Sequence, residues 1–168
     1  MMIRYFARML LVLLVTATFG CGGGGGGGGT TAPANPTKAT LTLSIPSLPT
    51  GTMAGGATFT INLPPGVTPA VLSDPNDPND AAGSVTLTGG ASGGLAANFT
   101  PSATSPQISI AIINTTGFGS GNFAVVNCVI APGTNVTRSG FSVSTNQVIF
   151  TNRSSIPSAT VSMAVQLS

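Results

Sequence analysis

The chain is 168 residues long, with 23 Gly, 13 Pro, no His, no Trp and only 5% charged side chains. Soluble domains usually carry about a quarter charged residues, so three acids (Asp74, Asp77, Asp80) and five bases (Arg4, Arg8, Lys38, Arg138, Arg153) leave a surface built from Thr, Ser, Asn and Gly. Lacking His and Glu, the chain is short of the groups for most acid–base catalysis, and its scattered bases form no stripe for nucleic acid; a non-enzymatic protein without a cofactor is expected.

In chain order, the first segment reads as an address. Two Arg fall within Met1–Arg8, and Met9–Phe19 (MLLVLLVTATF) is apolar. That run is shorter than the ~20 residues a spanning helix needs, and it follows a positive start, the pattern of an export signal. Gly20 and Cys21 come next, then an unbroken glycine run, Gly22–Gly29. Here the segment resembles a bacterial lipoprotein signal, in which a Cys after a small residue is acylated and becomes the first residue. The resemblance implies a signal peptide over 1–20, lipidation of Cys21, and attachment to the cell envelope by that lipid, in the outer membrane and facing the periplasm or the surface. Ordinary secretion, with cleavage after Ala17 or Gly20, is the alternative.

Residues 21–37 then comprise the lipidated Cys and a Gly-rich tether. The sixteen Gly-, Pro- and Thr-rich residues 22–37 have an r.m.s. span of roughly 20–24 Å. Removal of Arg4 and Arg8 with the signal leaves three bases against three acids, so the exported body is formally neutral. With Cys21 acylated, Cys128 is the sole remaining thiol, which excludes an intramolecular disulfide. It alternates with Val126 and Ile130 and has no basic neighbour in sequence to lower its pKa, so a buried, inert thiol is expected.

From residue 38 onward the hydrophobic period is two. Leu41, Leu43 and Ile45 alternate with Thr and Ser, as do Phe59, Ile61 and Leu63, then Val85 and Leu87, then Leu95, Ala97 and Phe99. Ile108, Ile110 and Ile112 continue the series. Phe141 with Val143, Val148 with Phe150, and Val161 through Leu167 close it. Phe123–Ile130 (FAVVNCVI) is apolar on both faces apart from Asn127, which suits a central strand in a well-covered sheet. Pro and Gly punctuate the intervals, and no stretch shows helical spacing. The expectation over 38–168 is an all-β domain: an antiparallel two-sheet β-sandwich of about nine or ten short strands.

The segments TFTINLPPGV (Thr58–Val67), GSVTLTGG (Gly83–Gly90) and QISIAIINTTGFGSGNFAVVNCVIAPG (Gln107–Gly133) resemble the cohesin-like or carbohydrate-binding-module-like jelly-roll sandwich. Gly117–Gly133 is the best-matching portion. Cohesins bind dockerin modules through one sheet face and its loops, so the resemblance implies a protein-interaction or adhesion module. No particular binding residue carries over. Direct polysaccharide binding and a structural envelope role are the alternatives. The sequence leaves the oligomeric state open.

Three local patterns bear on chemistry. Gly90-Ala91-Ser92-Gly93-Gly94 has the G-x-S-x-G form, but a nucleophile elbow needs a His and a following helix, so it reads as a turn. Asp74, Asp77 and Asp80, spaced by Pro-Asn, offer hard oxygen ligands of the kind calcium takes; Asp-Pro repeats are also ordinary turn formers. Asn98, Asn114, Asn135 and Asn152 each begin an Asn-x-Ser/Thr triplet and read as surface positions. Sugar platforms would require exposed aromatics, and Phe118, on a Gly-flanked turn, is the candidate.

Overall fold

The computed structural model describes residues 35–74 and 76–168, with one compact unit spanning Asn35–Ser168. Among the described residues there are nine strands: β1 (Lys38–Ile45), β2 (Ala54–Asn62), β3 (Val67–Pro69), β4 (Val85–Leu87), β5 (Gly94–Thr100), β6 (Gln107–Phe118), β7 (Gly121–Ile130), β8 (Ser142–Phe150) and β9 (Ser162–Leu167). They form two antiparallel sheets. The first, sheet A, has the order β3-β7-β1-β9, with β4 also on β7; the second, sheet B, has the order β5-β6-β2-β8. β3 and β4 lie end to end along one edge of β7, opposite Cys128–Ile130 and Ala124–Val126 respectively.

The period-two pattern explains the layering. In β1, Ala39, Leu41, Leu43 and Ile45 are buried while the Thr and Ser residues between them stay partly exposed. Ile108, Ile110 and Ile112 on β6 and Phe59 and Ile61 on β2 face them from sheet B. Each buried aliphatic or aromatic side chain contributes roughly 1.5–3 kcal/mol. Phe59 and Phe123 meet edge to face across the sheets at 5.8 Å, and Phe118 tilts against Phe123 at 5.6 Å. This aromatic trio stands in for the missing Trp.

Several expectations need correction. β7 is central in its sheet, yet its outer face is not covered: Asn127 is exposed and Val129 is 39% exposed. The segment Phe141–Phe150 contains one strand, not two, because a register shift opposite Thr58/Phe59 absorbs Asn146 and keeps the ladder running. β2 begins at Ala54, where Ala-Gly-Gly-Ala shows no alternation. The signal at 1–20, Cys21 and the tether up to residue 34 lie outside the described residues.

Both ends of the described chain sit at one end of the sandwich. The amides of Thr37 and Lys38 donate to the Ser168 carbonyl at 2.8 and 2.9 Å, and Ile130 N–H donates to Thr37. β1 then runs away from that end for eight residues, about 26 Å at ~3.3 Å per residue. The opposite end is formed by Ile45, Ala54, Phe118, Gly121 and Phe150.

Candidate functional site: a glycine-built groove at the far end of sheet B

The outer face of sheet B is a set of rows, read across β5, β6, β2 and β8. The row nearest the chain entry is Thr100, Gln107, Asn62 and Ser142. Gln107 Nε2 donates to Asn62 Oδ1 at 3.0 Å, and Asn62 Nδ2 donates to Ser142 Oγ at 3.0 Å. The next rows carry Asn98, Ser109, Thr60 and Ser144, then Ala96, Ala111, Thr58 and Gln147. Small side chains here leave a shallow depression of about 210 Å³ between Thr58, Asn98 and Asn146, with Ala96 and Ala111 among its mostly apolar lining. No residue of these rows is charged.

The last row changes character. Ile113 stands between Gly94 on β5 and Gly56 on β2, so no neighbouring side chain shields it, and it is 62% exposed. Ile149 completes the row on β8. Beyond it, β6 loops out between Ile113 and Phe118 while β2 advances only from Gly56 to Ala54. β2 in turn bulges at Gly55 against β8. Bulges of this kind re-aim side chains at sheet ends. Here they open two adjoining hollows of about 410 Å³ each, one along Ile113, Ile149, Phe150 and Arg153, the other along Met53, Thr116, Thr151 and Asn152.

Arg153 occupies this end of the sheet with φ at +69°, the one non-Gly residue described with positive φ. A left-handed conformation costs a side-chain-bearing residue roughly 1–2 kcal/mol. The surrounding turn enforces it. Arg153 N–H donates to Phe150 C=O at 2.9 Å, Phe150 N–H donates to Ser154 C=O at 2.8 Å, and Asn152 Oδ1 accepts from Ser154 N–H at 3.0 Å and Ser154 Oγ at 2.6 Å. All three acids of the domain lie far along the chain at 74–80, and among the described residues no carboxylate forms a salt bridge with Arg153. The groove thus has apolar walls, one cation and a hydroxyl and amide rim. It offers no general base and no nucleophile–base pair.

The other sequence-predicted positions lie elsewhere. Each Asp of the 74–80 loop caps its own turn: Asp74 Oδ1 accepts from Asn76 N–H at 2.8 Å, Asp77 from Asn79 at 3.0 Å, and Asp80 from Ala82 at 2.9 Å. The amide of Ala82, helped by Ser73, holds the Asp80 carboxyl below its ordinary value. Among the described residues, no three acidic or thiol side chains converge to hold a metal ion. The loop covers the edge of β5, with Ala81 N–H donating to Ala97 C=O and Phe99 N–H to Asn79 C=O. Ser92 is exposed in the β4–β5 turn.

Phe118 is not a platform; it is 1% exposed within the core. Asn114 is also not a surface residue: at 2% exposure it donates to Gly90 C=O at 2.8 Å and accepts from Thr116 N–H, Thr116 Oγ and Gly117 N–H. Asn98, Asn135 and Asn152 are exposed. Cys128 is buried and free, and desolvation pushes its pKa up to about 12. Sequence reasoning missed the groove residues Met53, Ile113 and Arg153. The available signal was Gly-Gly at 55–56 and again at 93–94, the two places where β6 loses its neighbours' side chains.

Fold and surface together define an all-β, two-sheet antiparallel sandwich domain with an open groove at one end of a neutral sheet face. No protein-family model, no curated protein and no solved structure matches the chain.

Proposed function

We propose that this chain is a lipid-anchored, exported protein that acts without catalysis, docking a protein partner along the groove and outer face of sheet B as a cohesin-like module does. The observation that carries the reading is Ile113, left bare between two glycines in the hollow it shares with Arg153. An exposed apolar residue at the centre of a groove, with a cation at its edge, suits the anchor-and-rim pattern of protein interfaces. Position supports it as well. The groove lies at the end of the sandwich opposite Lys38, so a domain held through its N-terminal tether carries the groove on its far side. The lipid anchor rests on the Gly20-Cys21 junction and the glycine run that follows.

The uncharged amide and hydroxyl row of Gln107, Asn62 and Ser142 on the same face favours a second reading, polysaccharide binding. Against that reading, every Phe of the domain except half-buried Phe150 is buried, so no ring is presented flat for stacking.

A photo-cross-linking residue in place of Thr115, in cells expressing the full chain, tests the docking. A discrete cross-linked protein is expected, reduced at least tenfold by Ile113→Asp with the sheet signal in circular dichroism unchanged. Retention on a polysaccharide array without any protein adduct overturns the protein-docking reading. Mass spectrometry of the mature N-terminus tests the anchor: a diacylglycerol adduct on Cys21 is expected, and an unmodified Cys21 or a chain beginning at Thr18 removes it.

A further inference from the structure

Four sheet margins need management in a sandwich, because an open strand edge presents unpaired N–H and C=O groups to any extended chain. Three are managed here. The β5 edge is covered by Asn79–Ala81. The β8 edge is covered where Ile149 bridges Ser155, Ile156 N–H donates to Val148 C=O, and Val161 N–H donates to Thr145 Oγ1 at 2.6 Å. The margin beside β7 ends in two three-residue strands, one of which carries Pro69.

β9 differs. Its sequence, SMAVQL, contains no charge, Pro or Gly, and among the described residues only β1 pairs with it. Lys38 and Ser168 exchange both backbone bonds at 2.9 and 3.1 Å. Antiparallel ladders alternate, so the pairs Thr40–Gln166, Thr42–Ala164 and Ser44–Ser162 are the bonded ones along this register. The N–H and C=O groups of Met163, Val165 and Leu167 therefore point away from β1. These same three residues turn their side chains toward the core yet stay only half-buried, whereas their β1 neighbours Ala39, Leu41 and Leu43 are buried fully.

We propose that β9 is an assembly edge, and that its occupant is β9 of a second copy of this chain, paired antiparallel about a two-fold axis through Val165. That register is self-complementary. Val165 exchanges both bonds with Val165 of the second copy, and Met163 and Leu167 exchange theirs reciprocally, so every outward backbone group finds a partner. The side chains agree: Met163 lies beside Leu167, Val165 beside its own kind, and on the outer face Ala164 beside Gln166. No like charges oppose one another, and the described domain is formally neutral, with three bases and three acids, so net repulsion does not resist self-association. The two copies then share one continuous sheet, while both sheet B faces and both grooves stay free.

The register supplies the test. In this pairing Ala164 and Gln166 of the second copy form a non-hydrogen-bonded pair, with Cα atoms about 4.5 Å apart, within disulfide reach. Full chains carrying Ala164→Cys and Gln166→Cys, tagged differently, are mixed and oxidised, with the unsubstituted chain as control for Cys21. At least tenfold more disulfide-linked heterodimer is expected from the mixture than homodimer from either variant alone. Ala164→Lys, which stays on the exposed outer face, is expected to weaken the dimer at least tenfold in sedimentation equilibrium. Equal cross-linking in all combinations, a monomer at every concentration, or a dimer indifferent to Ala164→Lys overturns the proposal.

Discussion

Gly55 and the backbone of Thr151 occupy almost the same space: a Cβ added to Gly55 would lie 2.5 Å from Thr151 Cα and 2.6 Å from Phe150 O. The bulge in β2 and the Arg153 turn can therefore close on each other only if residue 55 has no side chain. Because the obstruction is backbone on both sides, it cannot be relieved by a rotamer change. Gly55→Ala is expected to cost about 1–3 kcal/mol, as overpacking does, measured by urea denaturation. It is also expected to lower cross-linking from position 115, since the wall holding Phe150 and Arg153 must shift outward.

Asn114 joins the β6 loop-out to the β4–β5 turn through a single side chain with both ends in use. Replacing it with Ala leaves Gly117 N–H without that partner in a buried place, and Gly90 C=O and Thr116 N–H without it where they are only partly covered. A loss of about 1–3 kcal/mol follows from the buried unsatisfied group, again read from urea midpoints. Asn114→Asp does not rescue it, because a carboxylate oxygen would then face the Gly90 carbonyl.

The Asp80 carboxylate, stabilised by the Ala82 amide, has a folded pKa lower than its ordinary value of 3.8. Protonation is therefore harder in the folded chain than in the unfolded one. Its contribution is present above that ordinary value and is lost as pH falls through the lower folded value. The melting temperature is expected to fall as the pH drops below the ordinary carboxylate value, and Asp80→Asn is expected to flatten that fall. An identical acid profile in the variant would show that the Asp80 cap does not contribute.

Cys128, with its pKa pushed up to about 12 against an ordinary value of 9.0, stays a neutral thiol in the folded domain. The unfolded chain loses its proton first as pH rises, so stability is full below pH 9.0 and declines toward pH 12. Thiol reagents at pH 8 are expected to leave Cys128 unlabelled until denaturant is added. In Cys128→Ala the alkaline decline is expected to be smaller.

Alternation made most of the sandwich legible in advance, because one face of each strand must be greasy and the other need not be. Leu41, Ile61 and Ile110 sit where their spacing places them. What failed to show in the sequence was anything that depends on neighbours in other strands. FAVVNCVI reads as covered on both faces, but coverage is a property of what packs over Val129, and nothing described does. Phe118 reads as a loop residue from its glycines, yet the irregular end of β6 swings it inward onto Phe123. The groove was hidden for the same reason: alternation says nothing of Ile113 until Gly56 and Gly94 are seen on either side.

The pairing of Thr37 and Lys38 with Ser168 sets how the domain bears mechanical load. Under the proposed docking, tension between the point where the chain enters and a partner at the far groove would run along β1, which is clasped by β7 on one flank and β9 on the other. Its ladder bonds would then be strained in shear, all together, instead of being peeled open one after another.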